Sequence, residues 1–339
     1  NKMYPIRKEI LMNKDDIFRT IQEYTTDVPL LLIGTGASIP VGIHGMPELA
    51  NYLLDNLDSK YSSDKNWCDI SKKLKSGIDL ESAMTSYHLD ENLLNDIKKL
   101  TWKLVTDADL KLFYEKVLFG QDLPLSLLLH KLIQPHPYSI DILTTNYDRY
   151  IEYCCDQIGV MIDNRYSGMY LKKTNHHELN KKNVVNLLKV HGSLDSFSEE
   201  KTNESISIPL QQNIPNGFIP EIITPGSDKY KAILTSTSRE ILHNADSLID
   251  KASNFLCIGY GFNDSQIQEK IITKIKAGTP IVVVTKSLTD NALDIINSNS
   301  GNYAVVMDGG ENKTRFIINK TDITLEGVYW TIDGFNEII

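Results

Sequence analysis

The chain has 339 residues, with 35 Lys and Arg against 44 Asp and Glu for a formal net charge of −9. That length holds one large α/β domain with an insertion, or two domains, and buries an ample core; the acidic balance offers no broad footprint for nucleic acid. Cys68, Cys154, Cys155 and Cys257 form no Cys-x-x-Cys pair and no His/Cys cluster at zinc spacing, so neither a metal nor a disulfide framework is expected, as suits a reducing cytoplasm.

Residues 13–26 carry Ile17, Phe18 and Ile21 at helical spacing and are predicted as the first helix. The charged residues among the first twenty do not read as a targeting segment. Leu30–Ile33 is a short apolar strand running into Gly34, Thr35, Gly36, Ala37 and Ser38. Glycines at 34 and 36 allow a tight turn whose N–H groups approach a pyrophosphate, and Ser38 adds a hydroxyl. Taken alone, Gly-x-Gly fits an ordinary strand-to-helix turn equally well, and the missing third glycine argues against the dehydrogenase fingerprint. A loop rich in Gly and Pro leads to a helix from Pro47.

From about 59 to 135 the pattern is helical throughout and is read as a helical insertion, with Asp79 as a cap and Pro124–Ile133 as its last helix. No window reaches the roughly twenty apolar residues that span a bilayer. Ile140–Thr144 is the second buried strand, followed by Thr145, Asn146, Tyr147, Asp148 and a helix over 149–157. The basic run from Lys172 to Lys182 reads as a solvated loop. Val184–Val190 is the third strand and ends in His191 and Gly192, after which residues 196–218 are polar and expected to form a mobile loop.

A strand over 218–224 and a helix over Ser236–Lys251 precede the strand Phe255–Gly259, which is followed by Tyr260, Gly261, Phe262, Asn263, Asp264 and a helix to Lys276. Pro280–Thr285 is the next strand, and extended segments over 302–307, 314–319 and 322–329 form a C-terminal β extension within about 302–339. Alternating strands and helices imply an α/β fold with a doubly wound, mostly parallel sheet.

The chemistry-bearing residues all follow strands: Gly34–Ser38, Asn146 with Asp148, His191 with Gly192, and Gly259–Asp264. Strand ends of an open parallel sheet share one edge, where ligands bind. Asp264 or Asn263 can accept from a ribose hydroxyl, Asp264 reads equally as a helix cap, and Gly259 and Gly261 allow close backbone approach. Asn146 can position a ribose or a water, and His191 can take a proton near neutral pH. These parts suit cleavage of the nicotinamide–ribose bond of NAD, in which nicotinamide leaves as a neutral amide and no acid is needed for it.

As a set, Gly34–Ser38 with the Gly/Pro loop, Thr145–Asp148, and His191 with Gly192 resemble the glycine motif, the Asn-x-Asp motif and the catalytic His-Gly of the sirtuin superfamily, in that order; Gly259–Asp264 extends the likeness. The resemblance implies a single Rossmann-like, NAD-binding catalytic domain over 1–339, with Asn146 and His191 as the catalytic pair. NAD contacts then fall to Gly34, Thr35, Gly36, Ala37, Ser38, Asp148, Gly259, Gly261 and Asp264. Sirtuin deacylases carry a four-cysteine zinc module that this chain cannot supply, and Gly45-Met-Pro-Glu48 lacks their usual Asp-Phe-Arg. The chain is more similar to sirtuin-like effectors of bacterial antiphage systems. That likeness implies NAD as substrate without a metal, an NAD-depleting role, and work as a homo-oligomer or with a helicase-type ATPase or Argonaute-like partner. Readings kept beside it are a protein deacylase or ADP-ribosyltransferase, and a non-catalytic NAD or ADP-ribose module.

Overall fold

Leu30–Ile33 (β1) is buried along its whole length and stands inside a nine-stranded sheet. The computed structural model describes residues 12–85, 87–167, 172–174, 183–226, 236–262 and 264–339. Helix α1 (Lys14–Tyr24) precedes β1, and α2 (Met46–Leu57), α3 (Lys65–Lys75), α4 (Leu80–Met84), α5 (Glu91–Glu115) and α6 (Pro124–Ile133) follow it. Next come β2 (Ser139–Thr144), α7 (Tyr150–Gln157), β3 (Met161–Asp163), β4 (Tyr166–Ser167), β5 (Lys172–Thr174), β6 (Val184–Lys189), β7 (Gly192–Glu199), β8 (Ser205–Ser207) and β9 (Phe218–Ile222). The chain continues with α8 (Ser236–Lys251), β10 (Phe255–Ile258), α9 (Ser265–Lys276), β11 (Ile281–Thr285), α10 (Asp290–Asn299), β12 (Tyr303–Asp308), β13 (Lys313–Ile318), β14 (Thr321–Glu326) and α11 (Ile332–Phe335).

The large sheet has the order β14-β13-β12-β11-β10-β1-β2-β6-β3. Strands β3, β6, β2, β1, β10, β11 and β12 run parallel, and β13 and β14 close one edge antiparallel. This is the expected doubly wound, mostly parallel Rossmann-like sheet. Its inner strands are nearly continuous apolar runs because both faces are covered. Alternate residues serve opposite faces: Leu31 and Ile33 pack with α1, α5, α6 and α7, while Leu30 and Leu32 pack with α8, α9 and α10. From β1 the chain passes to β2 on one side and returns later to β10 on the other, which places the topological switch point between β1 and β10.

The helices after β1 build a core of their own from Leu53, Trp67, Ile70, Leu80 and Met84. Three aspartates cap them: Asp64 accepts from Trp67 N at 2.8 Å, Asp79 from Ser82 N at 2.9 Å and Asp90 from Leu93 N at 2.9 Å. Helix α5 joins this core to the main one, with Leu93 and Ile97 in the first and Trp102, Val105 and Leu112 in the second.

One expectation is overturned. Residues 196–218 are not one polar loop: the end of β7, all of β8 and the start of β9 fall within that span, in a second sheet of order β4-β5-β8-β7-β9. Phe197 and Ile206, paired in register, take the positions against the main core, and serines fill the opposite face. Ser196 pairs in register with Ser207, and both are buried, so the segment lacks the apolar alternation that marks a strand in sequence. The small sheet docks through Leu194 and Phe197, and the Trp102 indole on α5 donates to Leu194 O at 2.9 Å. Helix α10 and strands β3 to β5 were likewise not expected. The basic run from Lys172 falls on β5 at its start and otherwise lies outside the described residues.

Candidate active site

The turn after β1 is held by backbone. Gly34 N–H donates to Ile258 O at 3.0 Å and Gly36 N–H donates to Gly259 O at 3.1 Å. A Cβ on Gly34 would stand 2.4 Å from Gly259 O, one on Gly36 2.7 Å from Gly259 Cα, and one on Gly259 2.2 Å from Ala37 N. The three glycines therefore let the loops after β1 and β10 lie backbone against backbone. Gly259 adds a left-handed φ of +58°. The sequence pattern assigned Gly34 and Gly36 to close approach by a pyrophosphate; in the structure the Gly34 N–H is engaged by the end of β10 and the Gly36 N–H by the loop after it.

Asn146 sits over this junction. Thr144 Oγ1, at the end of β2, donates to Ile33 O at 2.7 Å and accepts from Asn146 N at 3.0 Å. Asn146 Nδ2 donates to Gly34 O at 3.0 Å and to Ser38 Oγ at 3.2 Å. A carbonyl can only accept, so this contact fixes which end of the amide is nitrogen. Asn146 is 2% exposed, and its Oδ1 has no hydrogen-bond partner among the described residues. A buried acceptor left without a donor costs about 1–3 kcal/mol, which a ligand or water donor would recover.

Ser38 Oγ donates to Asp148 Oδ1 at 3.2 Å, and Asp148 Oδ1 also accepts from Tyr150 N at 3.1 Å. Burial pushes the Asp148 carboxyl above its ordinary range, although the Lys189 charge opposes this.

His191 follows β6, with Gly192 at φ +84°. A Cβ on Gly192 would stand 1.8 Å from Glu221 O on the paired strand β9, so the position accepts only glycine. His191 Nε2 lies 2.5 Å from Asp264 Oδ2, with side chains 12% and 5% exposed. Asp264 O also accepts from Gln268 N in the first turn of α9 at 2.9 Å. The residue expected to serve as a ribose acceptor thus faces the histidine. Asn263 lies outside the described residues.

A cavity of about 410 Å³ opens among these loops, within the roughly 300–1,000 Å³ typical of small-molecule sites. It is lined by Gly34, Thr35, Gly36, Asn146, Asp148, His191, Gly259, Gly261 and Asp264, with Glu81 of α4, Val105 of α5, and Ile43 and His44 of the Gly/Pro loop. Ala37 and Ser38 do not line it; both are buried beneath.

Several residues escaped sequence reasoning. Arg149, directly after Asp148, is buried between Asp109 of α5 and Asp195 of β7. Its Nη2 is 2.6 Å from Asp109 Oδ2 and its Nη1 is 2.7 Å from Asp195 Oδ1. Burial works against the Arg149 charge, but the two carboxylates outweigh it and hold the guanidinium charged. Lys189 donates to Asp148 O and pairs with Glu152 at 2.7 Å. The available signal was Asp109, a carboxylate inside the apolar stripe of α5 between Val105 and Leu112. A second cavity of about 350 Å³ lies behind this cluster against the small sheet and contains neither Asn146 nor His191.

A family described as the SIR2-like domain matches residues 141–299. That match supports the sirtuin superfamily. The SIR2-like segment runs from β2 into α10 and holds Asn146, His191 and the Gly259–Asp264 loop, while Gly34–Ser38 precedes it. No curated protein matches the chain. Among solved structures, one described as the structural basis for the mechanism and regulation of Sir2 enzymes is similar at 13% identity, over 85% of this chain and 92% of that chain, with a TM-score of 0.47. A Sir2 homolog–NAD complex is similar at 13% identity, over 81% of this chain and 82% of that chain, with a TM-score of 0.42. Among the described residues, no helix is long and apolar enough to cross a membrane, and no group of three His, Cys, Asp or Glu residues is placed to hold a metal ion.

Proposed function

We propose that this chain hydrolyses NAD at the nicotinamide–ribose bond to give nicotinamide and ADP-ribose. The observation that carries the reading is one cavity at the switch point that holds both Asn146, with a buried and uncommitted amide oxygen, and His191, backed by Asp264. The loops at Gly34–Gly36 and Gly259–Gly261 would hold the nucleotide.

In the reaction the C1′–N bond breaks and its electron pair leaves with the ring nitrogen, so the pyridinium becomes neutral nicotinamide. Positive charge moves to the ribose. Water adds its oxygen to C1′, and its proton passes to the His191 imidazole. Asp264 orients that ring and stabilises the imidazolium that forms. Asn146 Oδ1 accepts a hydrogen bond from the water or from a ribose hydroxyl and so fixes the attack geometry.

Water rather than an acylated peptide is favoured as acceptor by what covers the small sheet. Strand β9 is one edge of that sheet, where an extended peptide would add. Helix α5 packs on β9, the Tyr147 hydroxyl donates to Ile223 O at 2.5 Å, and a Cβ on Gly226 would stand 2.7 Å from Met84 Cβ. The NAD-depleting role in bacterial antiphage defence, inside the cytoplasm and as a homo-oligomer or with a defence partner, is proposed on the motif resemblance.

The test is nicotinamide release from NAD by the purified chain without acylated peptide, beside Asn146→Ala and His191→Ala. Wild type should release nicotinamide, and each variant should lose about 10²–10⁴-fold in kcat. NAD binding without turnover, or turnover that requires an acylated peptide, would overturn the reading.

A further inference from the structure

We infer that Arg149, clamped between Asp109 and Asp195, is the positioning residue that holds the Asn146 loop and the His191 segment in one register. The inference rests on the reading of Asn146 and His191 as the reacting pair. Asn146 belongs to the loop between β2 and α7, and His191 to the connection between β6 and β7. Arg149 ends the first segment, and Asp195 follows His191 on the second.

Both oxygens of Asp109 are engaged on the inner side of the clamp. Asp109 Oδ1 accepts from the Arg149 backbone N–H at 2.7 Å, and Asp109 Oδ2 accepts from Arg149 Nε at 2.8 Å and from the Tyr153 hydroxyl at 2.6 Å. One carboxylate of α5 thereby fixes both the main chain and the side chain at the entrance to α7. The remaining arm of the guanidinium, Nη1, reaches Asp195. A backbone bond from Leu194 N to Tyr147 O at 3.0 Å runs beside it and ties the same two segments.

Stability is a poor reason for this arrangement. Three charges taken from water cost desolvation, and apolar residues of similar volume commonly serve a core as well or better. What a planar guanidinium gripped from two sides supplies is direction, since its donors are fixed in one fork. Placement matters at this reaction, where an error of about 1 Å costs on the order of 10²-fold in rate. Asp109 lies on the helix whose other half belongs to the core of the helices after β1, so α5 is the element through which that module bears on Asn146.

Asp195 is the arm to test, because its side chain is 18% exposed and its loss leaves the Asp109 bonds in place. Asp195→Ala should lower kcat for NAD hydrolysis about 10- to 100-fold while KM for NAD stays within about twofold, the mark of lost placement rather than lost binding. Asp195→Asn, which keeps an acceptor for Nη1, should restore most of kcat. Amide hydrogen exchange, read without NAD, should accelerate across residues 145–150 in Asp195→Ala and remain as in wild type across β1 and β10. Unchanged exchange at 145–150 overturns the inference whatever the turnover, as does accelerated exchange throughout the sheet. If wild type turns over no NAD while exchange changes as expected, the clamp stands and the hydrolase reading falls.

Discussion

Substituting Gly259 by alanine separates two costs that glycine avoids at this junction. A new Cβ would stand 2.2 Å from Ala37 N, 2.4 Å from Gly36 C and 2.6 Å from Gly36 Cα, all of them backbone atoms that no rotamer change can move. Ordinary contact begins near 3.4 Å, so the loops after β1 and β10 must part by about 1 Å, an overpacking cost of about 1–3 kcal/mol. The residue also sits at φ +58°, which adds about 1–2 kcal/mol for any Cβ. Gly120 provides the control: its φ is +62° and nothing lies within 4 Å of a Cβ there. Gly120→Ala should therefore lose about 1–2 kcal/mol and Gly259→Ala about 2–5 kcal/mol. Parted loops should also break the Gly36 N–H bond to Gly259 O and widen the crevice, so KM for NAD should rise at least about tenfold, near 1.4 kcal/mol of binding. Denaturant unfolding gives the first quantity and steady-state hydrolysis the second. If Gly259→Ala proves no less stable than Gly120→Ala and its KM is unchanged, the backbone-to-backbone account of the junction is wrong.

Asp264→Asn keeps a side-chain oxygen for Ile267 N, from which Asp264 Oδ1 accepts at 3.4 Å at the start of α9, but places no charge opposite His191; kcat at saturating NAD should fall about 10²-fold with little change in KM. The reverse pattern, a raised KM at constant kcat, would return Asp264 to the ribose-holding role read from sequence. Burial raises the Glu221 carboxyl above its ordinary range against the Ser205 hydroxyl bond and the Lys98 charge. The native state therefore holds that proton more tightly than the unfolded chain, and this contribution to stability falls as pH rises from about 4.3 through the raised native value. Glu221→Gln should melt above wild type at pH 7–8, with the gap closing toward pH 4; a gap constant over that range would remove the titration of Glu221 as its cause.

How much of this was legible in the chain follows from where the information lies. Leu30–Ile33, Phe255–Ile258 and Ile281–Thr285 announce themselves because a strand buried on both faces must be apolar throughout. Residues placed just after such strands then share an edge, which is why Asn146, His191 and Asp264 could be assigned to one crevice without knowledge of any contact between them. The small sheet escaped because its strands are short and because Ser196 and Ser207, buried on the face opposite Phe197, leave no apolar mark of that burial.

Strand order decided the rest. Only the sequence β10-β1-β2 across the sheet brings Gly259 against Gly36, and so makes glycine at 34 and 36 a matter of backbone contact. The pairing of His191 with Asp264, and of Arg149 with Asp109 and Asp195, likewise joins segments distant in the chain. Local pattern fixes what each segment is, because propensity and burial act on neighbours in sequence. Which charge meets which is set by how the segments pack, and no single segment carries that information.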